Sequence, residues 1–414
     1  MKEIILNNLN NPGQLEKSYR EDKNMFRKEF NKLYPEISEN VAAQFWHERL
    51  NFSREEISWG KKGGVMLVAV LVFAAGFIAK LPQLIGMDLD LFFQRNVGFV
   101  FLPAIAFYLA WKNGFKQSAV SITVFIVAAS AVYMNLLPMG PASDTLILVS
   151  IHMPLLMWSV TGFVFAGGDI RNIGGRAAFL KFTGDLVVMS AMLMIAGLIL
   201  SGVTFGLFEL IGISLEDFYL NYLIIWGLPA VPIVAGFLVH TNPQLVGKVS
   251  TVIAKVFTPI AFVMLTVYLI AVLYTGKDPY NDREFLMIFN LLLLGVMAII
   301  FFSIAGLTKK AVGKLESGML LGLAVVTVII NSIALSAIVF RISEWGITPN
   351  RLAVLGSNVL MLVNLLLVCR HLYLALKPES THEKVTESMA NYLPVYVIWT
   401  AFVTFLLPVI FGFR

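Results

Sequence analysis

Apolar residues along this chain gather in eleven stretches, at 64–82, 93–111, 118–137, 145–167, 180–204, 219–239, 254–275, 285–306, 317–340, 351–374 and 391–412. Each approaches or exceeds the roughly 20 residues a helix needs to cross the hydrocarbon core of a bilayer. In lipid, backbone N–H and C=O groups must find partners within their own segment, which a helix supplies. The period-two alternation of a membrane barrel is missing from these stretches. The pattern predicts an all-α fold, a polytopic transmembrane helix bundle of about 11 spans over residues 64–414.

Residues 1–63 read differently. Leu15, Tyr19, Phe26, Phe30 and Leu33 recur at helical spacing, so 12–34 is expected to be one amphipathic helix, with Asn11 as its cap and Pro12 in its first turn. A second helix is expected over 39–50, with Val41, Phe45, Trp46 and Leu50 on one side. Ser53 and Glu56 have the spacing of a capping box leading toward the first span. With eleven basic and ten acidic residues, this helical prefix lacks the basic excess that attracts anionic lipid. Two readings stand: a collar packed on the inner loops, or a docking surface for a cytoplasmic protein partner.

Charge orients the bundle. With 1–63 inside, the later inner loops carry thirteen Lys and Arg against seven on the outer side, which places the N-terminus in and the C-terminus out. The acidic residues Asp88, Asp90, Asp144, Glu209, Glu216, Asp217, Asp278, Asp282 and Glu284 fall outside, in agreement. Composition matches: 58% of residues are hydrophobic and 14% charged, against roughly 25% charged in a soluble domain. The net charge of +5 is thus a topology signal, and no basic block with interleaved aromatics suggests a nucleic-acid partner. The lone Cys369 excludes an internal disulfide and a cysteine metal cluster. No apolar signal-peptide segment is seen near the start, so insertion is expected to rely on the first span. No cofactor is expected, and the expected partner is the lipid bilayer.

Ionisable groups inside a membrane are costly and mark candidate sites. Asp185 falls about 9 Å of helix into the fifth span, with Lys181 four residues earlier on the same face. It reads either as a proton- or cation-linked carboxylate or as half of a local pair with Lys181. His152 has no second ligand at helical spacing, so it reads as a ring bonded across helices rather than a metal ligand. Asn290, Asn331, Asn358 and Asn364 are either interhelical glue or the lining of a polar path. Gly227, Pro229 and Pro232 weaken the sixth span, as in transporters with broken helices, but no matching break follows five spans later.

The outer connections hold the remaining polar chemistry. Arg283 lies in the seven–eight loop. In the nine–ten hairpin Gly346 can end one helix, Thr348 can cap the next and Pro349 fits its first turn, while Arg341 and Glu344 are spaced to pair. Arg283, Arg341, Glu344, Asn350 and Arg351 thus form either an interfacial charge belt anchored by Trp345 or an outer anionic-ligand site. No nucleophile elbow, zinc-protease motif, P-loop or dinucleotide fingerprint is present, and Gly167-Gly168 and Gly174-Gly175 read as a mobile turn.

Three segments carry a resemblance: Arg176 to Leu186, with Gly184-Asp185; Lys277-Asp278-Pro279 with Arg283-Glu284; and Arg341 through Glu344, Gly346 and Thr348-Pro349-Asn350-Arg351. Over roughly 170–370 the chain resembles the bacterial membrane-protein family called domain of unknown function 4153. The charged prefix is similar to that of its Bacteroidetes-type members. The resemblance implies a polytopic protein of the bacterial cytoplasmic membrane, with no catalytic residue to carry over. Three classes of function remain: a permease for a small solute or ion, a non-catalytic scaffold or sensor using 1–63, and an intramembrane enzyme using Asp185 or His152. The balance leans to the permease.

Overall fold

The computed structural model describes residues 1–51, 60, 62–114, 116–138, 143–211, 213–275, 280, 283–306, 314–376 and 383–413. It contains two compact units, Met1–Ser58 and Trp59–Arg414. Among the described residues every regular element is a helix and none is a strand.

In the first unit four helices, α1 (Lys2–Asn7), α2 (Pro12–Glu21), α3 (Lys23–Ile37) and α4 (Val41–Asn51), enclose a small core. Asn11 caps α2 as expected, its side chain accepting from Gln14 N. The expected single helix over 12–34 is two. Asp22 takes an extended conformation and its carboxylate accepts from Met25 N at 2.9 Å, which starts α3. The break lets Tyr19 of α2 meet Phe26 of α3 edge-on at 5.7 Å. Phe26, Phe30, Leu33 and Trp46 fill the core together with Ile5 of α1, a helix the periodicity did not announce. On α4 the buried set is Ala43, Trp46 and Leu50, while Val41 and Phe45 are 64% and 74% exposed. Spacing of three and four residues selects one face, and Val41 and Phe45 lie off it. The Ser53–Glu56 capping box falls outside the described residues.

The second unit holds α5 (Lys62–Ile85), α6 (Leu89–Lys112), α7 (Gln117–Leu136), α8 (Asp144–Phe165), α9 (Ile173–Leu210), the short α10 (Glu216–Phe218), α11 (Ile224–Thr241), α12 (Pro243–Thr275), α13 (Arg283–Gly306), α14 (Lys314–Trp345), α15 (Pro349–Ala375), α16 (Glu383–Ala401) and the terminal turn α17 (Leu407–Ile410). Among the described residues nine helices are long and apolar enough to cross a membrane, two of them running through the π-turns below, and two shorter apolar stretches, Val256–Val272 and Phe289–Ile304, lie in α12 and α13. The chain is therefore built as a multi-pass membrane protein with its apolar helices suited to contact with lipid.

Two large cores hold much of the interior, beside smaller ones such as that around Met134, Leu146 and Met153. One joins α5, α6, α9 and α11 around Ile105, Tyr108 and Phe182, and the other joins α12 to α16 around Phe289, Ile300, Leu323 and Leu365. Trp158 of α8 borders both. Side-chain bonds collect several helix ends at one end of the bundle. Asn96 and Asn135 exchange amide bonds at 3.0 and 2.8 Å, Arg95 donates to the C-terminal carbonyl of Asn135 at 3.0 Å, and Ser143 reaches Phe413 O. An arginine at a helix C-terminus also complements the helix dipole.

The weakened sixth span is resolved in an unexpected way. α11 continues unbroken through Pro229 and Pro232, and the irregularity sits upstream as a π-turn at Tyr219–Leu223. There Lys80 Nζ donates to Asn221 O at 2.6 Å, so a side chain occupies the displaced carbonyl. A second π-turn, Phe402–Leu406, follows α16, and Tyr133 OH donates to Thr404 O at 3.0 Å. No proline lies within it; the nearest, Pro408, comes two residues later, so the sequence pattern gave no warning. The turn expected to be mobile at 167–175 is closed by Gly168 N to Phe163 O and by Asn172, which caps α9.

Candidate functional site

The polar residues of the spans separate into two groups at different depths. The first surrounds Asp185. Its side chain is 4% exposed and takes part in an interaction of its own, so it is not an isolated buried charge. Lys181 is exposed, and among the described residues no ion pair joins the two. Next to Asp185, Gly184 permits close approach of α13: a Cβ there would stand 2.9 Å from Phe302. Thr183 accepts from Trp158 Nε1 at 3.1 Å, tying α9 to α8. Asp185 therefore lies near the ends of α8 and α13 that carry residues 165 and 306.

The second group is an asparagine cluster deep in the other core. Asn358 of α15 donates its amide to Asn290 Oδ1 of α13 at 2.9 Å. Asn331 of α14 donates to the backbone carbonyl of Asn358 at 3.1 Å. Further along α15, Asn364 pairs with Tyr396 OH of α16 at 3.1 Å, and Ser357 accepts from Trp399 Nε1 at 3.1 Å. Thus α15 is a hub bonded to three helices by four side chains. Asn358 stands nine positions into a 27-residue helix, about 14 Å along its axis. Buried amides are expensive in hydrocarbon, and pairing across helices is how membrane bundles satisfy them.

The two groups do not meet. Phe302, beside Asp185, and Asn290 are twelve positions apart on α13, about 18 Å of helix. Leu293, Val296, Met297 and Ile300 occupy the buried face between them. His152 belongs to neither group. Its Nδ1 lies 2.8 Å from Leu148 O on its own helix, and because a carbonyl only accepts, Nδ1 carries the hydrogen.

At the hairpin the expected construction is present. Gly346 has φ +76°, Thr348 Oγ1 accepts from Arg351 N, and Pro349 opens α15. Arg351 donates to Trp345 O and Gly346 O at 2.8 and 2.7 Å, capping the end of α14. The guanidinium groups of Arg341 and Arg351 lie over the Trp345 ring, 5.2 and 5.7 Å from its centroid. Glu344 is exposed and forms no ion pair with Arg341 among the described residues. Asn350 is half-buried in the first turn of α15, and the side chain of Arg283, at the start of α13, lies outside the described residues. Arg341 and Arg351 thus take part in building the turn, Arg351 through its bonds to the end of α14 and both through the Trp345 ring. Tyr396, Trp399 and Ser357 were not singled out from the sequence; the signal was only that a mid-span asparagine such as Asn364 needs a partner.

Among the described residues no three His, Cys, Asp or Glu side chains gather as a metal site. Compared with known protein families, curated proteins and solved structures, the chain matches none.

Proposed function

We propose that this chain is a permease-like protein of the bacterial cytoplasmic membrane that moves a small solute or ion, with its binding site at the α13–α15 asparagine cluster. The observation that carries the reading is Asn331, Asn358 and Asn290 joined mid-span across three helices. Polar groups at that depth are a feature of solute and ion pathways. The two π-turns, the first tied by Lys80 and Gln83 of α5 and the second by Tyr133 of α7, are places where α11 and the last span can change register without melting. Asp185, near the opposite end, serves as a gate or coupling carboxylate rather than as part of the same cavity, since apolar side chains separate the two.

In this reading the chain has eleven spans, with α12 and α13 counted among them, the N-terminus inside and the C-terminus outside, and it belongs with the domain of unknown function 4153. It assigns no catalytic residue. The test is native mass spectrometry in nanodiscs combined with flux into proteoliposomes. A small solute or ion retained and transported by the unsubstituted protein, but neither by Asn358→Leu, supports the reading. Flux unaffected by Asn358→Leu, or none across a broad panel of solutes and ions, overturns it.

A second reading, a non-catalytic scaffold or sensor, is favoured by one separate observation. Met1–Ser58 forms its own unit with its own aromatic core, and Val41 and Phe45 are left exposed on α4.

A further inference from the structure

Arg176 is the fourth residue of α9, and its side chain reaches α16. A guanidinium has five N–H donors. Among the described residues those of Arg176 find one partner, Asn391 Oδ1, at a long 3.5 Å, and no carboxylate within ion-pair distance. Its Nε is shut off from solvent and has no acceptor. The side chain is half-buried, so the guanidinium is held between α9 and α16 instead of snorkelling freely into water. An under-used guanidinium fixed in this way is suited to a phosphate, which can accept two of its hydrogens at once.

The face of α16 that carries Asn391 shows what kind of phosphate. Lys384, Glu387, Asn391, Val395 and Ile398 recur at spacings of three and four, so they share one face, and all five are exposed. That face is polar as far as Asn391 and apolar from Val395 onward. On α9 the apolar stretch begins at Leu180, one turn past Arg176. Both helices thus put the change from headgroup to hydrocarbon next to the Arg176–Asn391 contact.

We propose that Arg176 and Asn391 bind the phosphodiester of an anionic phospholipid, with an acyl chain lying along Val395 and Ile398. A free phosphate ion has no use for the apolar stripe, whereas a lipid needs both parts. Arg176 and Lys384 against Glu387 leave one positive charge on this face, which matches a singly charged headgroup. Basic pockets between spanning helices are a known form of headgroup site. The inference goes beyond the permease reading and does not depend on it.

The experiment is native mass spectrometry of the full chain released from phosphatidylcholine nanodiscs in which the phosphatidylglycerol fraction is raised stepwise. The expected result is one phosphatidylglycerol retained per chain, with saturation. In Arg176→Gln the half-saturating fraction rises about tenfold or more, the loss of a hydrogen bond to a charged group. Arg171→Gln removes the same charge from an exposed position in the preceding turn and is expected to leave it unchanged. Equal retention of both lipids, unchanged retention in Arg176→Gln, or an equal loss in Arg171→Gln overturns the proposal; the last would show only diffuse attraction to surface charge. Displacement of the lipid by millimolar inorganic phosphate also overturns it, in favour of a free anion. Should Arg176→Gln fail to fold, Asn391→Leu at an exposed position carries the test: a severalfold weaker retention supports the site, and unchanged retention overturns it.

Discussion

Trp399 donates its indole N–H to Ser357 Oγ at 3.1 Å while its ring lies directly against Gly356. A Cβ at Gly356 would stand 2.0 Å from Trp399 Cζ2, so α15 and α16 approach this closely only because the residue is glycine. Close backbone approach at small residues is a main source of helix association in lipid. Gly356→Ala is expected to destabilise the protein by about 1–3 kcal/mol through overpacking. Gly197→Ala, where a Cβ meets nothing within 4 Å, is the control and is expected to cost nothing measurable. Melting of both variants in nanodiscs checks this, and equal melting would contradict the contact.

Lys80 holds the first π-turn. Its ammonium group donates to Asn221 O at 2.6 Å, bonds Gln83 Oε1 and lies 4.3 Å from the Tyr222 ring centroid. Lys80→Met keeps the apolar stem but removes all three contacts. The expected loss is about 1.5–3 kcal/mol, the range for a hydrogen bond to a charged group. Hydrogen exchange should show the added opening at 219–223 and not at 402–406, where Tyr133 is the tie. Opening at both turns would mean that they are not held independently.

What the sequence revealed and concealed follows from the reach of each interaction. Helix positions were legible because about 20 apolar residues in succession have few other solutions: each predicted stretch falls largely within an observed helix, and among the described residues nine helices are long and apolar enough to cross a membrane. The hairpin was legible because Gly346, Thr348 and Pro349 act on backbone within a few positions of themselves. Asn331, Asn358 and Asn290 were legible as expensive residues but not as a cluster, because their partners lie 27 and 68 positions away. The split between α2 and α3 was missed because Asp22 interrupts the backbone without interrupting the apolar spacing of 15, 19, 26, 30 and 33. The π-turn at 402–406 depends on Tyr133, 271 positions away, and has no local signature.

Acid should loosen the N-terminal unit. Glu16 accepts from Arg20 at 2.9 Å and stands 2.8 Å from Arg49, and the Arg20 hydrogen bond is the chief reason its carboxyl is held below the ordinary value. Glu29 is lowered chiefly by its hydrogen bond from Lys32. A carboxyl depressed in the folded state contributes stability that is complete above its ordinary value and is lost as pH falls through the lowered one. Exchange protection over residues 12–51, corrected for intrinsic rates, is therefore expected to hold from neutrality to about pH 5 and to fall below about pH 4. Glu16→Gln should flatten part of that decline. A profile identical to the unsubstituted protein would show that the Glu16 pairings contribute nothing.

Val41 and Phe45 distinguish a docking unit from a folded spacer. Both are exposed on α4, one turn apart, while Trp46 on the adjoining face is buried against Phe26 and Phe30. Phe30→Ala should cost about 3–5 kcal/mol as a core truncation. Phe45→Glu should change stability by no more than about 0.5 kcal/mol, because it alters no buried contact. If this unit recruits a protein, Phe45→Glu removes the partner from the purified complex while hydrogen exchange over 1–51 stays as in the unsubstituted protein. Loss of protection across the core in Phe45→Glu would instead make the residue structural, and a partner retained by a well-folded Phe45→Glu would place docking on another surface. Solvent exposure of a phenylalanine is common enough to mean nothing alone; the pairing of normal folding with lost binding is what gives it meaning.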